Sequence, residues 1–350
     1  MRTARAVWDE LPVEWKRKLV EFLDYKSRSR VRALTKTDKR IVDSCPNSLQ
    51  LVSLRTAPYT GNGHEKKAGL DVAEHGKPEV MTEKWCPEDD IIRDFMRIFR
   101  HRKSFARKVE FNFYYLTLIN LTSKLAEKFS ECGGKIRAET FVWNCYLTED
   151  GDNLRLLKYF DPNVLNSILI RYGLMRKDTL DQFFEMDQFK NAKKVDISCE
   201  IKVTEMTKFV HLDNFRIMIP KLSAENGWTV IRTFIDRPAV LHAGFAIYTL
   251  SPMECDNLLT RFGCIPDEHN YLRRSTFKFV KHFEMATARD HIFAVRLSKY
   301  WLEGTTCRKS DLDEDLKFLD KWDEVFGGSI WPEMTQFNNT YPPFRDAYRV

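Results

Sequence analysis

No run of eighteen apolar residues occurs in this 350-residue chain, so no membrane-spanning helix is expected. The opening residues MRTARAVWDELP contain no apolar h-region, so no secretory signal is expected either. That implies cytoplasm or nucleus, where the eight cysteines stay reduced and the acceptor patterns at Asn120 and Asn338 have no consequence. No two cysteines form a C-x-x-C pair, and no histidines form an H-E-x-x-H pair. No metal site and no cofactor are expected. The nearest approach to a phosphate loop is Cys132-Gly133-Gly134-Lys135-Ile136, which lacks the upstream glycine and the following Ser/Thr. It also closes a predicted helix, and so reads as a C-cap with glycine in the left-handed region. Cys132, Cys145 or Cys199 could be paired with His211 or His242 as nucleophile and base, but nothing in their spacing favours it over structural thiols and turn-closing histidines. No catalytic residue is expected, and the chain does not read as an enzyme.

An excess of charge of either sign is missing from most of the chain. Residues 1–55 carry 13 Lys/Arg against 7 Asp/Glu, while the remaining residues carry 43 of each, so the net +6 lies wholly in the N-terminal segment. A basic chain can signal nucleic acid. Here the body is neutral, and neither nucleic acid nor a membrane is the expected partner.

That basic segment has a pattern. Leu11-Pro12 opens a short helix, where proline suits the first turn. Leu11, Trp15, Leu19, Phe22 and Leu23 form one apolar stripe at helical spacing, with Glu14 near the positive end of the dipole. Asp24 to Ser27 breaks the pattern. Val31 and Leu34 mark a second helix, and Ile41 and Val42 a third, with Asp38 in its first turn. About forty residues bury too little surface to stand comfortably alone. A helical cap on the next domain accounts for this pattern, and so does a module completed by a partner.

The run LPVEWKRKLVEFLDYKSRSRVRALTKTDKRIV resembles an F-box, from its Leu-Pro start through Trp15, Leu19 and Leu23 to Arg32-Ala33-Leu34-Thr35-Lys36. Trp15 stands where that motif usually has Ile or Leu. The continuation KTDKRIVDSCPNSLQLVSL is similar to the large nematode F-box family whose C-terminal part is the FTH domain. The resemblance implies binding to a Skp-type adaptor, and through it to a cullin scaffold and the ubiquitin machinery. The implied adaptor contacts are Leu11, Pro12, Trp15, Leu19, Val20, Leu23, Val31 and Leu34.

Beyond the segment, SLQLVSLR (48–55) alternates as a strand, and residues 56–86 read as loop or hairpin, with a possible strand at 70–74. Pro87 then starts a helix with acids in its first turn and bases at its end. From residue 108 strands alternate with helices. Val109, Ile136, Ile168, Val195 and Ile217 mark strands 27, 32, 27 and 22 residues apart. Helices are expected at 119–132, 153–160, 179–192, 205–212, 225–235 and 253–262, and strands at 240–250, 277–283 and 291–301. This beat suits a solenoid with parallel neighbouring strands. A doubly wound open sheet has the same alternation but usually a Gly-rich phosphate loop. FFEMDQFKNAKKVDI and HLDNFRIMI resemble the FTH domain through Gln188 to Val195 and His211 to Phe215. Phe189 stands where that family often has Trp, and Leu212 where it often has Phe.

The expected fold is therefore α/β: an N-terminal three-helix F-box followed by an irregular leucine-rich-repeat-like strand-helix solenoid. The expected divisions are 1–47 for the F-box, 48–87 for the connector and 88–304 for the FTH-like repeats. A C-terminal helix (311–326) and aromatic tail within 305–350 would pack back on the repeats. In a solenoid the polar positions of the strands line the concave face. Glu110, Asn112, Tyr114, Asp196, Ser198, Arg216, Met218 and Lys278 are the expected target contacts. The resemblance implies a non-catalytic substrate receptor of an SCF-type ubiquitin ligase. The alternatives are a ligase-independent scaffold or stoichiometric neutraliser of a partner protein and, with less support, a nucleic-acid binder.

Overall fold

The computed structural model describes residues 4–56, 67–75, 82–113, 118–145, 150–171, 175–202, 205–263, 279–297 and 300–311. The chain forms two compact units, the first from residues 1–223 and 246–253, the second from residues 224–245 and 254–350. It is a mixed α/β protein. The expected C-terminal helix and aromatic tail lie outside the described residues.

The first unit opens with four short helices: α1 (Ala4–Glu10), α2 (Val13–Phe22), α3 (Tyr25–Arg32) and α4 (Lys36–Asp43). The sequence suggests the last three. The first is added because Trp8 has a buried partner: its indole N–H donates to Asp38 Oδ1 at 2.9 Å. Asp38 also receives the Thr35 hydroxyl at 2.7 Å, while the Thr35 side chain caps α4 by accepting from the Asp38 amide at 3.0 Å. Val20, Ile41 and Cys45 form a small core, with Trp8, Leu23 and Val42 packed against it. Asp24 caps α3 through the Ser27 amide at 2.6 Å.

This helical module is tied to the sheet and to the helix that ends at Ile98. Arg28 donates to three backbone carbonyls: Leu23 at 2.9 Å, Glu21 at 3.0 Å and Pro46 at 2.7 Å. Asn47 receives the Phe105 amide on its carbonyl at 2.8 Å and donates its side chain to Ile98 O at 3.1 Å. The connection is thus stitched on both sides rather than hung on a free linker.

Strands β1 (Ser48–Thr56), β2 (Lys67–Ala73) and β3 (Thr82–Pro87) precede α5 (Glu88–Ile98). Then strands and helices alternate: β4 (Phe105–Phe113), α6 (Leu118–Cys132), β5 (Ala138–Cys145), α7 (Asp152–Leu157) and β6 (Ser167–Ile170). Next come α8 (Lys177–Glu185), α9 (Asp187–Asn191), β7 (Lys194–Glu200) and β8 (Asn214–Ile219). In spatial order β8-β7-β6-β5-β4-β1 pair in parallel, and β2 and β3 continue antiparallel. The region read as a loop or hairpin thus supplies two sheet strands. The helix expected over 179–192 breaks at Met186, whose extended backbone (ψ 137°) separates α8 from α9. The helix expected over 205–212 is only a 3-10 turn at Met206–Phe209. Gly133, at φ 60°, turns the chain after α6, as the C-cap reading requires.

Register explains why the interior is so rich in phenylalanine. Val52, Val109, Phe141, Ile168, Val195 and Phe215 lie side by side across six strands. Leu54, Phe111, Trp143, Ile170, Ile197 and Ile217 form the next ladder, and all twelve are buried. Because side chains alternate across a sheet, residues two apart on each strand share one face, and both ladders lie on it. Phe95 of α5 and Phe129 of α6 cover it, with Phe95 5.9 Å from Phe111 and edge-on to Phe129 at 6.1 Å between ring centroids. Further along, Phe183, Phe184, Phe189 and Phe209 form the helix-side cluster, and Phe209 meets Phe215 at 5.3 Å.

The second unit holds α10 (Ala224–Asp236), α11 (Cys255–Arg261) and an antiparallel run of β10 (Phe279–Glu284), β11 (His291–Leu297) and β12 (Trp301–Arg308). β9 (Gly244–Thr249) begins in this unit and ends in the first. The single strand expected over 291–301 is two, separated by a reversal before Trp301. Phe234, Phe245 and Phe293 stack within 6.0 Å of one another beside Gly304. A Cβ at Gly304 would meet Phe293 at 2.5 Å and Phe245 at 2.8 Å. Gly304→Ala is expected to lower the stability of this unit by about 1–3 kcal/mol through overpacking. Thermal unfolding checks it, and a variant that melts with wild type would show that the ring stack yields freely. Arg296 and Glu303 form a buried ion pair across β11 and β12.

Candidate functional site

Two surfaces of the first unit could engage a partner. One lies on the N-terminal helices. Trp15, Leu19 and Phe22 follow one another at helical spacing on α2 and are 58%, 43% and 88% exposed. Leu34, after α3, is 51% exposed. Lys16, Val20 and Leu23 occupy the flank of α2 that packs inward: Lys16 donates to Asp9 O at 3.4 Å and sits over the Trp8 ring, while Val20 and Leu23 join the small core. The stripe that the sequence presents as continuous is thus divided, with Leu23 turned to the interior and Trp15, Leu19 and Phe22 turned outward.

The expected adaptor contacts therefore separate into groups. Trp15, Leu19, Leu34 and Pro12 are exposed; Leu11, Val31 and Leu23 are half-buried. Val20 is a correction. It is fully buried against Ile41 and Cys45, because a four-helix module this small must spend its best-placed aliphatic side chain on its own core. Phe22, absent from the expected contacts, is the most exposed large apolar residue of the surface. Its spacing of seven from Trp15 is the signal that would have found it.

The second surface is the sheet face opposite the phenylalanine ladders. Ser53, Glu110, Val142, Leu169, Asp196 and Arg216 stand in register across the six parallel strands, so Glu110, Asp196 and Arg216 share one row. Asn112 lies one step along, paired with Arg55 and Asn144. Ser198 follows Asp196 at the two-residue period of β7, and Met218 follows Arg216 on β8. Six of the expected target contacts thus lie on one face. Tyr114 and Lys278 lie outside the described residues.

The polar groups on this face are organised. Asn144 donates to Asn112 Oδ1 at 2.9 Å, and Asn112 donates to Ser53 Oγ at 2.9 Å, which makes a chain across β5, β4 and β1. Lys108 pairs with Glu110 at 2.5 Å. Asp196 is buried, with Arg216 3.7 Å away and the Ser198 hydroxyl donating at 3.4 Å. Burial raises its carboxyl above the usual aspartate value, against the pull of Arg216, Lys194 and Arg171. A group whose folded pKa is raised contributes most below its unfolded value, near 4, and loses that contribution as pH rises through the folded value. Asp196→Asn is accordingly expected to flatten the decline in stability from about pH 4.5 upward and to leave the variant more stable than wild type at about pH 7. Denaturant titrations across that range test this; a wild-type curve that rises with pH would show that Arg216 outweighs burial.

Burial pushes the Cys199 thiol up to about 12 and raises Cys145 strongly as well. Both ring nitrogens of His211 face backbone carbonyls, Lys208 O at 3.0 Å and Phe189 O at 3.1 Å. His242 sits at φ 64° in a turn, its amide donating to Thr306 O at 2.9 Å. Among the described residues no group of three His, Cys, Asp or Glu could hold a metal ion, and no helix is long and apolar enough to cross a membrane.

Residues 120–260 match the family model of the FTH domain. No curated protein and no solved structure matches the chain. The FTH match begins inside α6 and ends inside α11, so it takes in β5 to β9 and four of the six strands of both buried ladders. Gln188 and His211, two residues that carry the FTH resemblance, have structural work here. Gln188 Nε2 donates to Phe160 O at 2.8 Å and Lys158 O at 3.2 Å, closing the turn after α7 from α9. His211 stands edge-on to Phe189 at 4.9 Å. These two motif residues are thus joints between elements, Gln188 buried and His211 at the surface.

Proposed function

We propose that this chain is the substrate-recognition subunit of an SCF-type ubiquitin ligase. In this reading α2 to α4 are the F-box and dock on a Skp-type adaptor that leads to a cullin. The parallel strands β4 to β8 and their helices are irregular leucine-rich-repeat-like units whose open face holds a target protein for ubiquitination and proteasomal degradation. The observation that carries the reading is the outward set of Trp15, Leu19, Phe22 and Leu34 on a module whose sequence resembles an F-box. Large apolar side chains held in water are the usual anchors of a protein interface. The FTH match supports it, because the resembling family joins these two parts in one chain.

The mechanism is proximity. Catalysis belongs to other chains, and this one supplies orientation and effective concentration. That demands a firm join between the docking helices and the target-binding sheet. Asn47, bonded to the Ile98 carbonyl at the end of α5, and the Tyr25 amide, bonded to Glu74 just after β2, supply it, while Arg28 holds the connection at Pro46. The experiment is a titration of the purified chain with a purified Skp-type adaptor. A stoichiometric complex is expected; no complex at micromolar concentration would overturn the reading.

A further inference from the structure

The net charge of the N-terminal segment does not sit on the outward stripe of α2. Much of it faces elsewhere. Lys36, Lys39 and Arg40 project from α4 into a hollow of about 480 Å³ that Arg100 completes. Lys39 and Arg100 also line a larger groove of about 920 Å³ between α4, α5 and α6, where Arg93, Lys124 and Lys128 add to them. Together the two hollows make one trough lined by nine Lys/Arg, with Asp43, Asp89 and Glu127 as the only acids in the lining. The floor of the larger groove is apolar, formed by Ile92, Met96, Phe99 and Phe129.

We propose that this trough binds an acidic peptide segment of a partner protein, anchored by an apolar side chain on the groove floor. The proposal does not rest on the ubiquitin-ligase reading and would survive its failure.

Charge complementarity favours an acidic occupant. Lys36, Lys39 and Arg40 are exposed and form no ion pair with any described residue. The cations deeper in the groove are held by local carboxylates: Arg93 by Asp90, Arg97 by Asp94 at 2.6 Å, and Lys124 by Asp89 at 2.9 Å. The Arg93 and Lys124 pairs are exposed and each worth about 0.2–1 kcal/mol, so an incoming carboxylate can exchange with them, whereas the half-buried Arg97–Asp94 pair stays in place. The geometry favours it too. Arg32 grips Asp43 through two bonds, Nε to Oδ1 at 2.6 Å and Nη2 to Oδ2 at 3.2 Å, which neutralises one of the three acids of the lining. The floor selects a peptide over a nucleic acid. Phe99 and Phe129 are buried, so they offer no free ring face on which a base could stack, whereas an aliphatic or aromatic side chain can fill the hollow above them. A volume near 920 Å³ suits a few residues of such a segment.

The test uses the full chain and a fluorescein-labelled synthetic peptide of about ten Asp and Glu residues around a central Leu-Phe pair. Binding is followed by fluorescence anisotropy. Wild type is expected to bind, with affinity falling as salt is raised. Lys39→Glu combined with Arg40→Glu reverses two exposed cations, so it should leave the melting temperature unchanged while weakening the peptide about tenfold or more. Replacing the Leu-Phe pair in the peptide by serine should weaken it too. Lys26→Glu, on α3 outside the trough, should change nothing. No binding to wild type would overturn the proposal, as would equal binding to the double variant. A thymidine oligonucleotide of the same length that binds more tightly and is lost in the double variant would overturn it in favour of nucleic acid.

Discussion

Replacing Trp15 and Phe22 together by alanine is expected to weaken adaptor binding about a hundredfold or more while leaving the fold intact. Both side chains project into water, so their removal deletes apolar area that only a partner could bury. Aromatic anchors at the centre of an interface each cost about 2–4 kcal/mol when truncated, and about 1.4 kcal/mol is a factor of ten. Val20→Ala, one residue from Leu19 but turned inward, should do the reverse. It should lower stability by about 1–3 kcal/mol through the lost methyl groups and the cavity left between Ile41 and Cys45. It should reduce binding only as far as the module loosens. Calorimetric titration with the adaptor, set beside thermal melts of both variants, distinguishes the two. If the double variant binds as wild type does, the outward stripe has no part in docking and the ubiquitin-ligase reading loses its main support.

Phe111→Ala is expected to cost about 3–5 kcal/mol, a large share of the roughly 5–15 kcal/mol that typically holds a domain together. Phe111 is fully buried at the meeting point of sheet and helices. Its ring lies 5.9 Å from Phe95, 5.9 Å from Phe141 and 6.0 Å from Trp143, and it meets Phe160 edge-on at 6.5 Å. The neighbours belong to α5, to β5 and to the bridge beside Ile136, so no single element can shift to fill the void without opening another. Asn112→Ala, the next residue on the same strand, should cost only about 0.5–1.5 kcal/mol, the usual worth of a hydrogen bond. Guanidinium unfolding followed by circular dichroism gives both values. Equal losses would mean that the two sheet faces contribute alike, contrary to the register.

The same adjacent pair shows what could be read in advance. The alternation of Val109, Phe111 and Phe113 with Glu110 and Asn112 needs no coordinates, because a strand has a period of two whatever its neighbours. Glu110, Asn112, Asp196, Ser198, Arg216 and Met218 could therefore be assigned to one class of position before their strands were aligned. That Glu110, Asp196 and Arg216 fall in one row depends on register between strands far apart in sequence, which only pairing fixes. Asp196 is a further case. An aspartate in a strand reads as a solvated contact, yet its burial makes its charge costly.

Helix ends were less legible than strand phase. Residues 179–192 have continuous helical periodicity, but Met186 takes an extended backbone, so Gln188 and Phe189 reach the turn after α7 and the aromatic cluster from a second short helix. The break lies in no local signal. It satisfies the Phe160 carbonyl, far back along the chain, which is a tertiary demand.

The sequence by itself determined the alternation of strands and helices, the aliphatic and aromatic phase of each strand, the glycine stop after α6 and the confinement of the net charge to the N-terminal segment. These follow from local stereochemistry and composition. Only the tertiary structure decided how the apolar residues of α2 divide between core and solvent, since a broad apolar stripe can face either way until α1 and α4 claim one flank. It also decided that the basic residues of α4 open onto a trough shared with α5 and α6. Charge is a property of the sequence, but the field it makes depends on which charges the fold sets side by side.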